Sequence, residues 1–350
     1  MILAPIRKGK ANVNMPWMII GEKAYDTMLK VMKSSRYRAH AGVYTGVNSA
    51  YWIEIESKQP TGILIKNLAT IGKRNVKEIK TIIEPELIYP LVRGQDHKAW
   101  YITPSGYILI PTDDKGKTLS HSELKIEYSK TCQYFLNFLE DLANRGGQPY
   151  KSKLEPYRKK PIDEAERKAP PFYWLFNVAP ALAPYKVMWK YVAGKISGKG
   201  EFSVAVAEPV EDEHLGKKVV IPNEKLMLIP FDDRDEAHYV ASVLNSPVAQ
   251  LIVMGYTIET AISTHVLKNV YVPKFNSKDK IHLKLAKLSK NAHALAKRYY
   301  EQKDLEAQEE LKEVEAEIDK IVAELYGITD EELVEVKKTL GVLKGEDDER

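Results

Sequence analysis

A single cysteine, Cys132, stands in 350 residues. The chain can therefore form no internal disulfide and no cysteine-based zinc cluster, and it suits a reducing cytoplasm. No apolar run reaches the roughly 20 residues that a membrane-spanning helix needs. No basic–apolar–small pattern marks a secretory leader at the N-terminus. Enzyme signatures are missing as well. There is no Gly-x-Gly-x-x-Gly after a strand, no Walker loop and no His-Glu-x-x-His, and no Gly-x-Ser-x-Gly elbow. The eight histidines are scattered without the spacing of metal ligands. No tandem repeat is present.

What is present bounds the answer from the other side. The length allows two or three compact units, and a hydrophobic content of 44% is that of a protein with real cores. The net charge of +4 hides a split. Residues 1–200 hold 32 Lys and Arg against 18 Asp and Glu, a net +14, whereas residues 201–350 hold 20 against 30, a net −10. A basic front and an acidic back point to a polyanion partner for the front. The alternative is that charge simply differs between domains.

The most informative stretch runs from Arg36 to Ile55. Arg36 and Arg38 come first, then Gly42, Thr45, Gly46 and Asn48, and then an apolar strand. Glycines allow a sharp turn or a close approach of backbone to ligand. Arginine forks and asparagine amides suit base edges and phosphate oxygens. The stretch reads as a loop facing nucleic acid, or else as a Gly-rich hairpin with solvated arginines. A second turn, at Tyr89 to Lys98, is set by Pro90 and Gly94 and crowds Arg93, Asp96 and Lys98 together. Arg93 and Asp96 either face a ligand or bridge each other to fix the turn. Lys73 to Lys77 adds three positive charges.

The rest is read from periodicity. Residues 1–15 have no domain character. Glu123 to Arg145 carries Leu124, Tyr128, Cys132, Phe135, Leu136, Leu139 and Leu142 at helical spacing, which predicts one helix ended by Gly146-Gly147. Residues 148–170, rich in Lys, Arg and Pro, predict an exposed basic linker or loop. Tyr185, Val187, Trp189 and Tyr191 alternate with Lys186, Met188 and Lys190, which predicts a strand with a basic face. Ile281 to Tyr299 and Ala307 to Leu325 carry heptad-like stripes with a phase slip near 300–306, either a stutter or a helical hairpin. These helices pack within the protein or against another subunit. Glu346 to Arg350 is expected to be a disordered tail.

One metal-dependent pattern needs weighing. Asp113 or Asp114 followed by Glu123-Leu-Lys125 has the order in which nucleases hold Mg²⁺ and poise a water. The competing reading is that Glu123 and Lys125 merely begin a helix, where acidic residues are favoured.

Several segments, taken in order, resemble one family. They are Ala41-Gly-Val-Tyr-Thr-Gly-Val-Asn48, Tyr89-Pro-Leu-Val-Arg-Gly-Gln-Asp96, Tyr128 to Arg145, Pro171-Phe-Tyr-Trp-Leu-Phe-Asn177, Ala183-Pro-Tyr-Lys-Val-Met-Trp-Lys190, Val243-Leu-Asn-Ser-Pro247, Val272-Pro-Lys-Phe275 and Ile318 to Gly327. Together they resemble the C-terminal target-recognition region of adenine-specific DNA methyltransferases and fused restriction–modification enzymes. Two family features are absent. There is no Gly-rich S-adenosylmethionine motif. Ala169 replaces the Asn or Asp that would precede Pro170-Pro-Phe172-Tyr173 in the adenine-gripping motif.

The resemblance therefore implies DNA recognition without methyl transfer. The chain would be the reading half of a split enzyme, a truncated gene product or a stand-alone specificity subunit. Its expected partners are double-stranded DNA and a methyltransferase subunit, with S-adenosylmethionine held on that partner or on a missing domain. The expected architecture is α+β. A mixed-sheet recognition region spans residues 1–147 and 171–280 around the 148–170 loop, and a helical segment spans 281–350. The expected DNA contacts are Arg36, Arg38, Thr45, Asn48, Arg93, Asp96 and Lys98, with Lys186 and Lys190 as phosphate contacts. No catalytic or metal-binding residue is expected.

Overall fold

A computed structural model describes residues 2–5, 17–191, 202–256 and 262–344. The architecture is α+β, as the sequence predicts. Two mixed-sequence sheets each carry their own core. The first sheet has six strands, in the order Ile221–Pro222, Ile88–Val92, Gly106–Leu109, Trp52–Gln59, Gly62–Asn67 and Lys80–Ile83. Its pairings are antiparallel except for Ile221–Pro222, which runs parallel to Ile88–Val92. Alternation explains its faces, since successive side chains of a strand point to opposite sides. Ile63 and Ile65 are buried between half-exposed neighbours.

Beneath this sheet lie the aromatics of residues 134–173. Phe135 stacks on Tyr173 and tilts against Tyr51, with ring centroids 5.3 and 5.4 Å apart. Fully burying one large apolar side chain is worth roughly 1.5–3 kcal/mol, so this layer dominates the front core.

The second sheet has four strands, in the order Ala205–Ala207, Tyr185–Lys190, Leu226–Phe231 and His40–Ala41, all antiparallel. One face is covered by helices Glu22–Val31, Arg234–Asn245, Pro247–Tyr256 and Lys280–Gln302. Helices Leu305–Leu325 and Asp330–Lys344 complete the rear layer. Asp233, Asp279 and Asp304 each cap the helix that follows, accepting from Glu236, Ile281 and Ala307 at 2.8, 2.8 and 3.0 Å. Such caps satisfy amides that a helix N-terminus otherwise leaves unpaired.

Four expectations change. The helix predicted over Glu123 to Arg145 is three short ones, His121–Glu127, Ser129–Leu136 and Leu139–Ala143. The break at Tyr128 is held by Glu84, whose carboxylate accepts from the Lys130 and Thr131 amides at 3.0 and 2.9 Å. Those are free donors at the start of the second helix, so a residue far away in sequence caps it.

The N-terminal stretch is not wholly irregular, because Ile2–Pro5 pairs with Trp17–Ile20. Residues 148–170 are not a solvated linker throughout: Tyr150, Leu154, Tyr157 and Ala165 are buried in the front core. Finally, the strand Tyr185–Lys190 has no basic face. Val187 and Trp189 enter the rear core, and Met188 joins Val92, Ala207 and Leu228 in a small cluster on the other side. With both faces covered, Lys186 is buried.

The phase slip near residues 300–306 is a hairpin. Lys303 ends the first long helix at φ +58°, and both stripes pack within this chain. The expected disordered tail lies outside the described residues.

Candidate nucleic-acid interface

Two of the crossovers that join the two sheets run side by side. From the four-stranded sheet, His40–Ala41 leads through residues 42–47 to the short helix Asn48–Tyr51 and into the six-stranded sheet. In return, Ile221–Pro222 leads through Asn223, Glu224 and Lys225 into Leu226–Phe231. The crossovers are tied by Gly42 N–H to Leu226 O and Val43 N–H to Pro222 O, both 2.8 Å. Glycine is required at position 42. A Cβ there would sit 2.1 Å from the Asn223 carbonyl oxygen.

A cleft of about 560 Å³ opens over this junction. Tyr44, Gly46, Val47 and Asn48 line it from the first crossover, and Asn223, Glu224 and Lys225 from the second. Gly72, Lys73 and Arg74 close one side, and Arg93, Gly94 and Gln95 the other. Four loops far apart in sequence thus meet at one basic opening. Lys73 and Lys225 are exposed, and neither closes a salt bridge among the described residues.

Arg145 holds the floor. It is fully buried, and its guanidinium stacks 3.9 Å from the Tyr150 ring centroid. It donates to the carbonyls of Leu142, Thr45, Phe172 and Trp174 at 3.0, 2.7, 2.7 and 2.9 Å. One buried cation so ties the Gly-rich stretch to the aromatic segment at 171–177. The Tyr150 hydroxyl donates to the Tyr44 carbonyl and the Asn177 amide to that of Ala41.

Two of the nine expected contacts line the cleft, Asn48 and Arg93. Thr45 lies beneath it. Thr45 is buried, and its hydroxyl donates to the Asn48 side-chain oxygen, so it is not free to touch a base. Asp96 caps the turn Gly94–Asp96: its Oδ2 accepts from the Arg93 amide at 2.7 Å and lies 3.6 Å from Arg93 Nε. The bridge that fixes the turn is therefore present. Arg93 also donates twice to Ser105 Oγ, at 2.9 and 2.7 Å.

Arg36 and Arg38 are exposed before the junction, outside the cleft lining. Lys98 is exposed, and its ammonium sits 4.2 Å from the ring centroid of Tyr300, on the helical side. Lys190 is half-buried at its strand end.

Lys186 must be withdrawn as a phosphate contact. It lies on the covered face that Met188 shares, is buried, and donates to the Ala183 carbonyl. Burial alone drives its pKa from the ordinary 10.5 to about 7. The Asp114–Glu123–Lys125 pattern is taken up locally. Glu123 closes a capping box with Ser120, accepting its amide at 2.6 Å, and that hydrogen bond holds the carboxyl below its usual range. Among the described residues no group of three His, Cys, Asp or Glu is placed to hold a metal ion, and no helix is long and apolar enough to cross a membrane.

Sequence reasoning missed Lys73, Asn223, Glu224 and Lys225 as site residues. The charge run at 73–77 was visible, and Asn-Glu-Lys between two strands has turn composition. Nothing local ties either to the first loop. Glu224 is the single acid among the lining residues. Burial raises its pKa, while Lys225 and a hydrogen bond from Asn48 oppose the shift.

A second cleft, of about 410 Å³, lies between the helix Lys280–Gln302 and the edge strand Ala205–Ala207. It is lined in part by Arg234, His238, Lys290 and His293. Part of its charge is matched: Arg234 pairs with Glu208 and Lys290 with Asp235. His238, whose pKa burial lowers, meets Glu208 Oε1 at 2.9 Å. The exposed Lys297 closes no salt bridge among the described residues.

No protein-family model matches the chain, and no curated protein matches it at a significant level. Among solved structures, the fold is similar to that of the Type IIL restriction-modification enzyme MmeI, determined in complex with DNA. The TM-score is 0.49 and the sequence identity 10%, over 90% of this chain and 37% of that enzyme's. A likeness this distant places no residue of the present chain.

Proposed function

We propose that this chain is a sequence-specific reader of double-stranded DNA, a recognition module of a restriction–modification or adenine-methylation system without its own methyl-transfer site. The observation that carries this reading is the basic cleft, where Asn48 and Arg93 from the two loops that the sequence marks are gathered with Lys73 and Lys225. Phosphates recruit such lysines through counterion release, which makes affinity salt-dependent. On this reading the polar side chains of the opening meet base edges once the phosphates are held. A methyltransferase subunit or domain would carry S-adenosylmethionine and perform the chemistry, in the cytoplasm.

The test is a titration of labelled duplex with the full chain over a series of salt concentrations. The expected result is binding whose logarithm falls linearly with log salt, with one short sequence preferred. Absence of binding at low salt rejects the proposal. DNA cleavage or methylation by the purified chain alone rejects its non-catalytic part.

A further inference from the structure

The acid in the cleft is the anomaly. Every other charged residue lining it is basic: Lys73, Arg74, Arg93 and Lys225. A carboxylate among them opposes a phosphate, so it has no place in holding a backbone. It is also held in position. The Asn223 amide donates to Val92 O at 2.9 Å, and the Leu226 amide donates back to Asn223 O at 3.0 Å. The Lys225 amide donates to the Asn223 side chain at 3.2 Å. The turn that carries Glu224 is thus pinned on both sides.

On the facing crossover the Thr45 hydroxyl donates to Asn48 Oδ1, and Asn48 and Lys225 both act against the rise that burial imposes on the Glu224 carboxyl. Among the described residues, Glu224 Oε2 is buried with no hydrogen-bond partner. A buried acceptor without a donor is costly to leave unmade. The terminal torsion of a glutamate is broad and roughly two-fold, so rotation about it can present either oxygen to the cleft without moving the backbone.

We infer that Glu224 reads a base, accepting a hydrogen bond from the exocyclic amino group of an adenine or cytosine in the major groove. This rests on the duplex-binding reading above. The donor pattern supports it: adenine N6 and cytosine N4 are the amino donors of that groove, and carboxylates pair with them. The surrounding lysines hold the flanking phosphates and offset the carboxylate's own repulsion.

The test selects preferred sites from randomised duplexes with the full chain, then deletes single amino groups within the selected site. Purine replaces adenine, or 2-pyrimidinone replaces cytosine, one position at a time. The expected result is one position where the deletion weakens wild-type binding by about 10- to 100-fold, while Glu224→Ala is indifferent there and keeps the other preferences. Glu224→Gln, which preserves volume and adds a donor, is expected to shift that position towards thymine or guanine, whose O4 and O6 accept. Should the alanine variant fail to fold, the glutamine variant decides alone.

An unchanged drop at every position in these variants overturns the inference and leaves duplex recognition standing. Wild-type binding without any sequence preference does the same. Failure of the wild-type chain to bind duplex at low salt removes the parent reading and this one with it.

Discussion

The two clefts of this molecule are both lined by charged side chains, yet they differ in how much of that charge is matched. At the rear, Arg234 and His238 share Glu208, and Lys290 meets Asp235. At the front, Lys73 and Lys225 close no such pair among the described residues, and the one acid of the lining is half-withdrawn. Ion pairs that close on themselves contribute little and ask for no ligand. Cations left open beside a concavity raise the local concentration of anions. The contrast says more about where an anion would settle than the charge totals do, because the totals blend matched and unmatched groups.

The largest expected effect removes the support of the front cleft. Arg145→Met leaves the Leu142, Thr45, Phe172 and Trp174 carbonyls without their buried donor. The expected loss is about 3–5 kcal/mol, read from a urea unfolding curve, with DNA binding lost alongside. A midpoint within experimental error of wild type would show that the cation is dispensable.

The next concerns Lys186, buried between the regions. Its folded pKa, about 7, lies below the unfolded 10.5. Between those values the unfolded chain binds more protons, so stability rises with pH across this window and is flat, for this group, below it. The slope approaches roughly 1.4 kcal/mol per pH unit. Lys186→Met is expected to abolish that slope and to be more stable than wild type near pH 7. Thermal unfolding across the window checks both.

A smaller effect tests the comparison itself. Lys73→Ala and Lys225→Ala should each reduce the salt slope of DNA binding by about one, alike for all sequences, while stability moves by no more than about 0.5 kcal/mol. Lys284→Ala at the rear, which breaks the exposed pair with Glu317, should leave the slope unchanged. An equal fall in all three variants would erase the distinction between the regions. The smallest effect is at Lys98, where alanine forfeits the contact with the Tyr300 ring at about 0.5 kcal/mol. That is measurable only by a careful unfolding series.

Much of the fold was legible because its periodicities are strong. The strand after the Gly-rich stretch and the long rear helices follow from apolar alternation and stripes. The single helix over 123–145 failed because the stripe continues through Tyr128 while the backbone breaks there, with Glu84 supplying a cap that no local pattern announces. Lys186 failed for a related reason. Alternation tells which side chains share a face but not whether that face is covered, and here a few residues from 92, 207 and 228 cover it.

The site was half legible. Asn48 and Arg93 stood out by residue type and turn context. Glu224 did not, since its meaning comes from basic neighbours brought in by other loops. Thr45 was seen as a reader and is a support.

The joint at Gly42 has a mechanical corollary. The two connecting segments touch backbone to backbone there, with no room for even a methyl group, so the gap between Asn48 and Glu224 is gauged by how closely the sheets abut. An alanine at 42 would act as a shim, spreading the jaws of the opening from below without altering the chemistry of any side chain that lines it.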